Sequence, residues 1–138
     1  MSEHWSQQYI GLPWKEKGRT RAGIDCYGLV RLILAEQCGI RLPSYTGAYA
    51  STEERAQILA AITAGSADLA RRIERHEVRP FDVVEMMDEG VPTHLGIVSA
   101  PGRMIHIPRR RLSEMPRWDR GAWADKVVGF WRPNGVPA

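Results

Sequence analysis

The sequence predicts an α+β domain, with helices gathered in the first half and a small antiparallel sheet in the second. Three observations carry this. Up to about residue 76 the apolar residues recur at helical spacing, whereas from Phe81 onward short β-prone runs alternate with Gly and Pro. The two textures are segregated, which argues against alternating βαβ units. The length, 138 residues with 43% hydrophobic, suits one compact domain over residues 1–138 with one core.

After a short amphipathic start, Leu12 to Gly23 is rich in Gly, Lys and Arg and contains Pro13, which is loop chemistry. From Cys26 to Gln37 the residues Leu29, Val30, Leu32, Ile33 and Leu34 cover most of a helix circumference, and Gly39 is a natural stop. This reads as the buried central helix. Leu42 to Gly47 is turn-rich. Ser51 and Glu54 form a capping box opening a second helix that runs to about Gly65, and the arginine-rich stretch Ala67 to His76 reads as a shorter helix. Four strands follow at 81–86, 94–98, 104–107 and 127–131. The stretch Pro108 to Asp125, with Trp118, Trp123 and much charge, reads as an irregular excursion.

Composition excludes several functions. No apolar run approaches the roughly 20 residues that span a bilayer, so no membrane insertion is expected. The first residues lack the basic and apolar stretches of a secretory signal, predicting cytosolic synthesis. The net charge is +3, and Arg109, Arg110 and Arg111 stand together. No aromatic residue interleaves with that triplet and no reader motif is present, so no nucleic acid is expected as a partner and the run reads as a solvated positive face. Cys26 and Cys38 are twelve residues apart on one predicted helix, about 18 Å of rise, too far for a disulfide.

One of those thiols is placed for chemistry. Asp25 is a good N-cap, which puts Cys26 in the first turn of the helix, where the dipole and free N–H groups favour a thiolate and can receive an oxyanion. Gly28 is expected to keep the surface beside the thiol open. The candidate bases are His94 and His106, both on predicted strands. Their even separation places them on one face, directly opposite each other across a hairpin with a five-residue loop from Val98 to Gly102. His94 would be general base and acid, and His106 would orient its imidazole. Each has a plainer reading as well: Cys26 as a small buried hydrophobe, the histidines as hydrogen-bonded strand residues. Cys38 stays in that plainer class, and His4 and His76 read as surface residues. A zinc site from Cys26, His94 and His106 lacks a closely spaced ligand pair, so no metal is expected.

The combined pattern resembles the NlpC/p60 superfamily of cell-wall cysteine endopeptidases. Tyr9-Ile10-Gly11-Leu12-Pro13-Trp14 is similar to its Tyr-x-Gly-x-Pro-Tyr opening, and Gly23-Ile24-Asp25-Cys26-Tyr27-Gly28-Leu29-Val30 to its Asp-Cys-Ser-Gly-Leu motif. Gly39-Ile40-Arg41-Leu42-Pro43 matches Gly-Ile-x-Leu-Pro, Arg79-Pro80-Phe81-Asp82-Val83-Val84 resembles Pro-Gly-Asp-Leu-Val, and His94-Leu95-Gly96-Ile97-Val98 resembles His-Val-Gly-Ile. The aromatic Tyr27 after the cysteine is similar to the short versions in tails of bacteriophages and gene transfer agents. The resemblance implies a papain-like fold, no cofactor, catalytic Cys26, His94 and His106, and cleavage of peptidoglycan stem peptides at the bond between γ-D-glutamate and a diamino acid. It further implies that Asp25 receives the substrate's terminal amine and that Tyr27, Tyr9 and Trp14 border the pocket, although Asp25 also reads simply as a helix cap. A tail, baseplate or hub protein is the implied partner. The rival expectation is a structural tail plug that keeps the fold without turnover.

Overall fold

The computed structural model describes residues 4–42, 70–88 and 91–136. The predicted second helix, from Ser51 to about Gly65, lies outside them. A 3-10 turn, Trp5–Tyr9, opens the described chain and is capped by the His4 ring, whose Nδ1 accepts from the Ser6 N–H. His4 and His76 are both exposed. A minimal hairpin of β1 (Arg19–Thr20) and β2 (Gly23–Ile24) leads into helix α1, Cys26–Ile33.

Asp25 caps α1 through a 2.8 Å bond from the Gly28 N–H, and Leu29, Val30 and Ile33 are buried. The helix does not run on as regular α to Gln37. From Leu34 to Cys38 it widens into a π turn, ended by Gly39 at φ 69°. That turn brings Glu36 and Gln37 both onto the Tyr9 hydroxyl, which donates to Glu36 at 2.7 Å and accepts from Gln37 at 3.1 Å. Gly28 does not serve to open the surface as expected. It is buried, and a Cβ there would meet the Gly18 carbonyl oxygen at 2.2 Å, so its role is to let the β1–β2 hairpin close onto α1.

The main sheet has five strands in the order β3-β7-β4-β5-β6, formed by β3 (Ala70–Ile73), β4 (Val83–Asp88), β5 (Val91–Ala100), β6 (Arg103–His106) and β7 (Val127–Pro133). Every neighbouring pair is antiparallel. The extra strand, β3, corrects the prediction of a helix over 67–76 from Ala70 onward, residues 67–69 lying outside the described ones. Its helical pattern is weak, and the open edge of β7 offers a ladder in which Ala70 and Ile73 are buried while Arg72 lays its guanidinium over the Trp131 ring at 5.2 Å. A 3-10 turn, Arg75–Glu77, follows it.

The β5–β6 hairpin also differs from expectation. Gly96, not His94, stands opposite His106, and Ala100 pairs with Arg103 around a tight Pro101-Gly102 turn with an irregularity at Ser99. Gly102 adopts φ 74° there, and the bulge absorbs the twist that a tight type II turn would otherwise impose. His94 and His106 therefore become diagonal neighbours, still on one face.

Neighbouring strand residues divide between two clusters, as alternation demands. Val83, Leu95, Ile97 and Ile105 pack with α1, whereas Val84, Met86, Val98, Met104 and Phe130 pack with Trp118. The predicted excursion, 108–125, returns along β6: His106 and Glu114 exchange backbone bonds of 3.1 and 2.9 Å, and the Met104 N–H bonds the Pro116 carbonyl. In the turn before β4, Phe81 holds φ 75°, a left-handed conformation that favours glycine. Its ring stacks on Trp5 at 4.5 Å, a contact that offsets roughly 1 kcal/mol of backbone strain.

Candidate active site

Cys26 is the first residue of α1 and is 2% exposed, and α1 packs on β5 and β6, which carry His94 and His106. The two histidines are joined directly: His94 Nε2 lies 2.7 Å from His106 Nδ1. His106 Nε2 in turn lies 2.7 Å from Glu114 Oε2. Glu114 is delivered by the backbone pairing with His106, which sets the two side chains side by side.

This chain fixes the tautomers. An ionised carboxylate only accepts, so His106 donates from Nε2 and accepts at Nδ1. His94 must then donate from Nε2, which makes its Nδ1 the basic nitrogen. Burial, with the positive charge of Arg111 adding to it, holds the His106 imidazole down at about 3. The Glu114 carboxylate pulls the other way, but its side chain is 40% exposed and solvent weakens that pull, so His106 stays neutral. Trp123 closes over the pair, stacked on His94 at 5.3 Å and edge-on to His106 at 4.4 Å, with Lys126 Nζ 4.7 Å above the indole.

Asp25 is fully buried and holds a network. Its Oδ1 accepts from Gly28 N–H and from Arg19 Nη1 at 2.8 Å, and its Oδ2 accepts from Lys17 N–H at 3.0 Å. The Arg19 guanidinium also covers the Tyr27 ring at 5.3 Å, and Tyr27 is 2% exposed. Tyr9 has no exposed surface, and its hydroxyl is pushed up to about 12, by burial first. Trp14 is half-buried and lines an open groove of about 420 Å³ with Pro13, Arg110, Arg111 and Leu112. Cys38 is free and its thiol is pushed up by burial. Among the described residues no group of three or more His, Cys, Asp and Glu is placed to hold a metal ion, and no helix is long and apolar enough to cross a membrane.

The sequence reading missed Glu114 and Trp123. Both sit in the irregular 108–125 stretch, where no periodicity announces a partner. The one signal was the Pro108 turn after the His106 strand, which allows the chain to double back.

The model of the NlpC/P60 family matches residues 11–132. The chain belongs to the NlpC/P60 family. Its fold is accordingly the α+β, papain-like NlpC/P60 fold, and solved NlpC/P60 structures agree. A Bacillus cereus ATCC 10987 family member superposes with a TM-score of 0.66 at 19% identity, covering 96% of this chain and 38% of that one. The NlpC/p60 domain of the peptidoglycan hydrolase SagA superposes at 0.60 and 19% identity, covering 96% and 92%. In sequence, the chain is 26% identical over 131 residues to the gamma-DL-glutamyl hydrolase of Bacillus subtilis (strain 168), covering 92% of this chain but only 27% of that relative. The chain thus spans about a quarter of that protein's length.

Proposed function

We propose that this NlpC/P60 protein is a cysteine peptidase that hydrolyses γ-glutamyl amide bonds in peptidoglycan stem peptides, with Cys26 as nucleophile and His94 as base. The observation that carries the reading is the hydrogen-bonded run His94–His106–Glu114, which leaves the His94 Nδ1 lone pair as the basic site on a strand against which α1 is packed. The sequence relative, a gamma-DL-glutamyl hydrolase, supports the reaction class and the γ-glutamyl bond.

In this reading His94 Nδ1 takes the Cys26 thiol proton, and the sulfur attacks the carbonyl carbon of the γ-glutamyl amide. The tetrahedral intermediate collapses as protonated His94 gives its proton to the leaving amine, forming a thioester on Cys26. Water, deprotonated by His94, then releases the γ-carboxylic acid and restores the thiol. His106 moves no proton in this scheme. Neutral and fixed by Glu114, it orients the base and accepts the His94 Nε2 hydrogen bond throughout.

Asp25, Tyr9 and Tyr27 act as structural supports in this proposal. Binding a substrate amine at Asp25 would require displacing Arg19 from a buried carboxylate. Attachment to a phage-type tail, with a hub or baseplate partner and action on the wall of a target cell, rests on the resemblance at Tyr27.

The test is acid quenching during turnover of a synthetic L-Ala-γ-D-Glu-L-Lys peptide. An intact-protein mass increase equal to the acyl fragment, mapped to the peptide containing Cys26, is expected. Turnover with no such adduct, or an adduct elsewhere, would remove Cys26 from its role.

A further inference from the structure

A γ-linked glutamate spends its side-chain carboxyl on the scissile amide and keeps its α-carboxylate free. Any enzyme that cuts such a bond must therefore accept an anion close to the reacting carbonyl. That requirement, which rests on the reading above, draws attention to the groove lined by Trp14, Arg110 and Arg111.

Both walls of the groove are tied to the reacting residues through backbone. Trp14 bridges Ile24, two residues before Cys26, and the Ile24 N–H bonds the Pro13 carbonyl at 3.0 Å. On the other wall, the turn closed by the Arg111 N–H on the Pro108 carbonyl begins two residues after His106. A bridge between Pro13 and Leu112 joins the walls. The groove therefore lies between the segment that leads into the nucleophile and the segment that leaves the orienting histidine.

Its chemistry is specific. Arg110 and Arg111 are exposed, and neither makes an ion pair among the described residues. Arg110 holds φ 63°, a left-handed conformation that a side-chain-bearing residue adopts at a cost of about 1 kcal/mol and that is common at ligand sites. Leu112 is 59% exposed beside them and Trp14 offers a ring, so the groove pairs two guanidinium forks with an apolar wall. That combination fits a carboxylate carried on a short peptide.

We propose that the Trp14–Arg110–Arg111 groove is the subsite that holds the free α-carboxylate of the γ-linked glutamate. The same chemistry occurs in a stem peptide and in a polymer of γ-linked glutamate. Arginine forks accept the carboxylate by charge-assisted bonds, and their exposure makes the interaction sensitive to salt.

The experiment is calorimetric binding to the Cys26→Ala protein, so that no turnover intervenes. The probes are L-Ala-γ-D-Glu-L-Lys, the same peptide with the glutamate α-carboxylate converted to the amide, and an oligomer of γ-linked glutamate. The free acid should bind about tenfold tighter than the amide, the worth of one charge-assisted hydrogen bond, and the preference should vanish in the Arg110→Gln/Arg111→Gln variant. Equal binding of acid and amide, a preference that survives the double variant, or no binding of any probe overturns the subsite. Tighter binding of the oligomer assigns the polymer as source, and tighter binding of the tripeptide assigns the stem peptide. Arginine-dependent binding without cleavage by the Cys26 protein would sustain the subsite and sink the peptidase reading.

Discussion

His94 and His106 meet edge to face, with His94 Nε2 2.7 Å from His106 Nδ1 and the ring planes inclined at 72°. They are diagonal neighbours on adjacent strands, since Gly96 stands opposite His106. A side chain at position 96 would fill the space between strands, where a Cβ would meet the Met104 sulfur at 2.9 Å and the His106 Cβ at 3.3 Å. The histidine contact thus depends on a glycine two residues from the proposed base.

The direction of this chain of bonds depends on Glu114. Glu114→Ala should lower kcat by about 10- to 100-fold, the usual cost of losing a group that orients a functional side chain. Glu114→Gln keeps an oxygen to accept from His106 Nε2 and should recover most of the rate. Steady-state kinetics of the two variants check this, and equal losses would show that acceptor geometry is not what matters.

His106 links the site to stability. Its folded value, about 3, lies below the ordinary 6.5, so the unfolded chain binds more protons between those limits. Stability is therefore full above about pH 6.5 and falls as the pH drops toward 3, by on the order of a few kcal/mol. Among the described residues, Arg111, Glu114 and His94 are charged or titratable groups that act on it. Chemical denaturation at pH 7 and pH 4.5 should show the loss, and His106→Gln should flatten it.

Trp123 keeps water from both rings. Trp123→Ala should relieve the desolvation that holds His106 down and raise its titration toward the ordinary range. Proton NMR of the histidine ring signals measures this directly, with His106 silent between pH 5 and 8 in the parent chain. An unchanged titration would mean that the sheet, not the indole, supplies the burial.

Asp25 and Arg19 form a buried pair, the side chains being 0% and 10% exposed. Asp25→Asn keeps the helix cap but strands the guanidinium, and should cost about 3 kcal/mol. Arg19→Ala strands the carboxylate and should cost a similar amount, with the double variant less damaged than the sum. A double-mutant cycle by denaturation checks the coupling. If Asp25→Asn left stability intact and abolished substrate binding instead, the amine-binding role would return.

Much of the fold could be read in the residues. The helix at Cys26 was announced by the Asp25 cap and a nearly continuous apolar surface, and β4 to β7 by short runs set off by Gly and Pro. The arginine-rich strand β3 was hidden because its state is decided by an open edge of β7 that local sequence does not display. At the site, even spacing identified the face shared by His94 and His106, but the bulge at Ser99 set the register. Glu114 and Trp123 were illegible for a different reason. They reach the histidines through an irregular return of the chain, and contacts of that kind leave no period in the sequence.

The central claim is hydrolysis of γ-glutamyl bonds by Cys26, and digestion of isolated peptidoglycan tests it most directly. The protein and its Cys26→Ala variant are incubated with the wall material, and the released fragments are identified by mass spectrometry. The account predicts fragments ending in a free γ-carboxyl of D-glutamate that are absent with Cys26→Ala. No fragments, or the same fragments from both proteins, would contradict it.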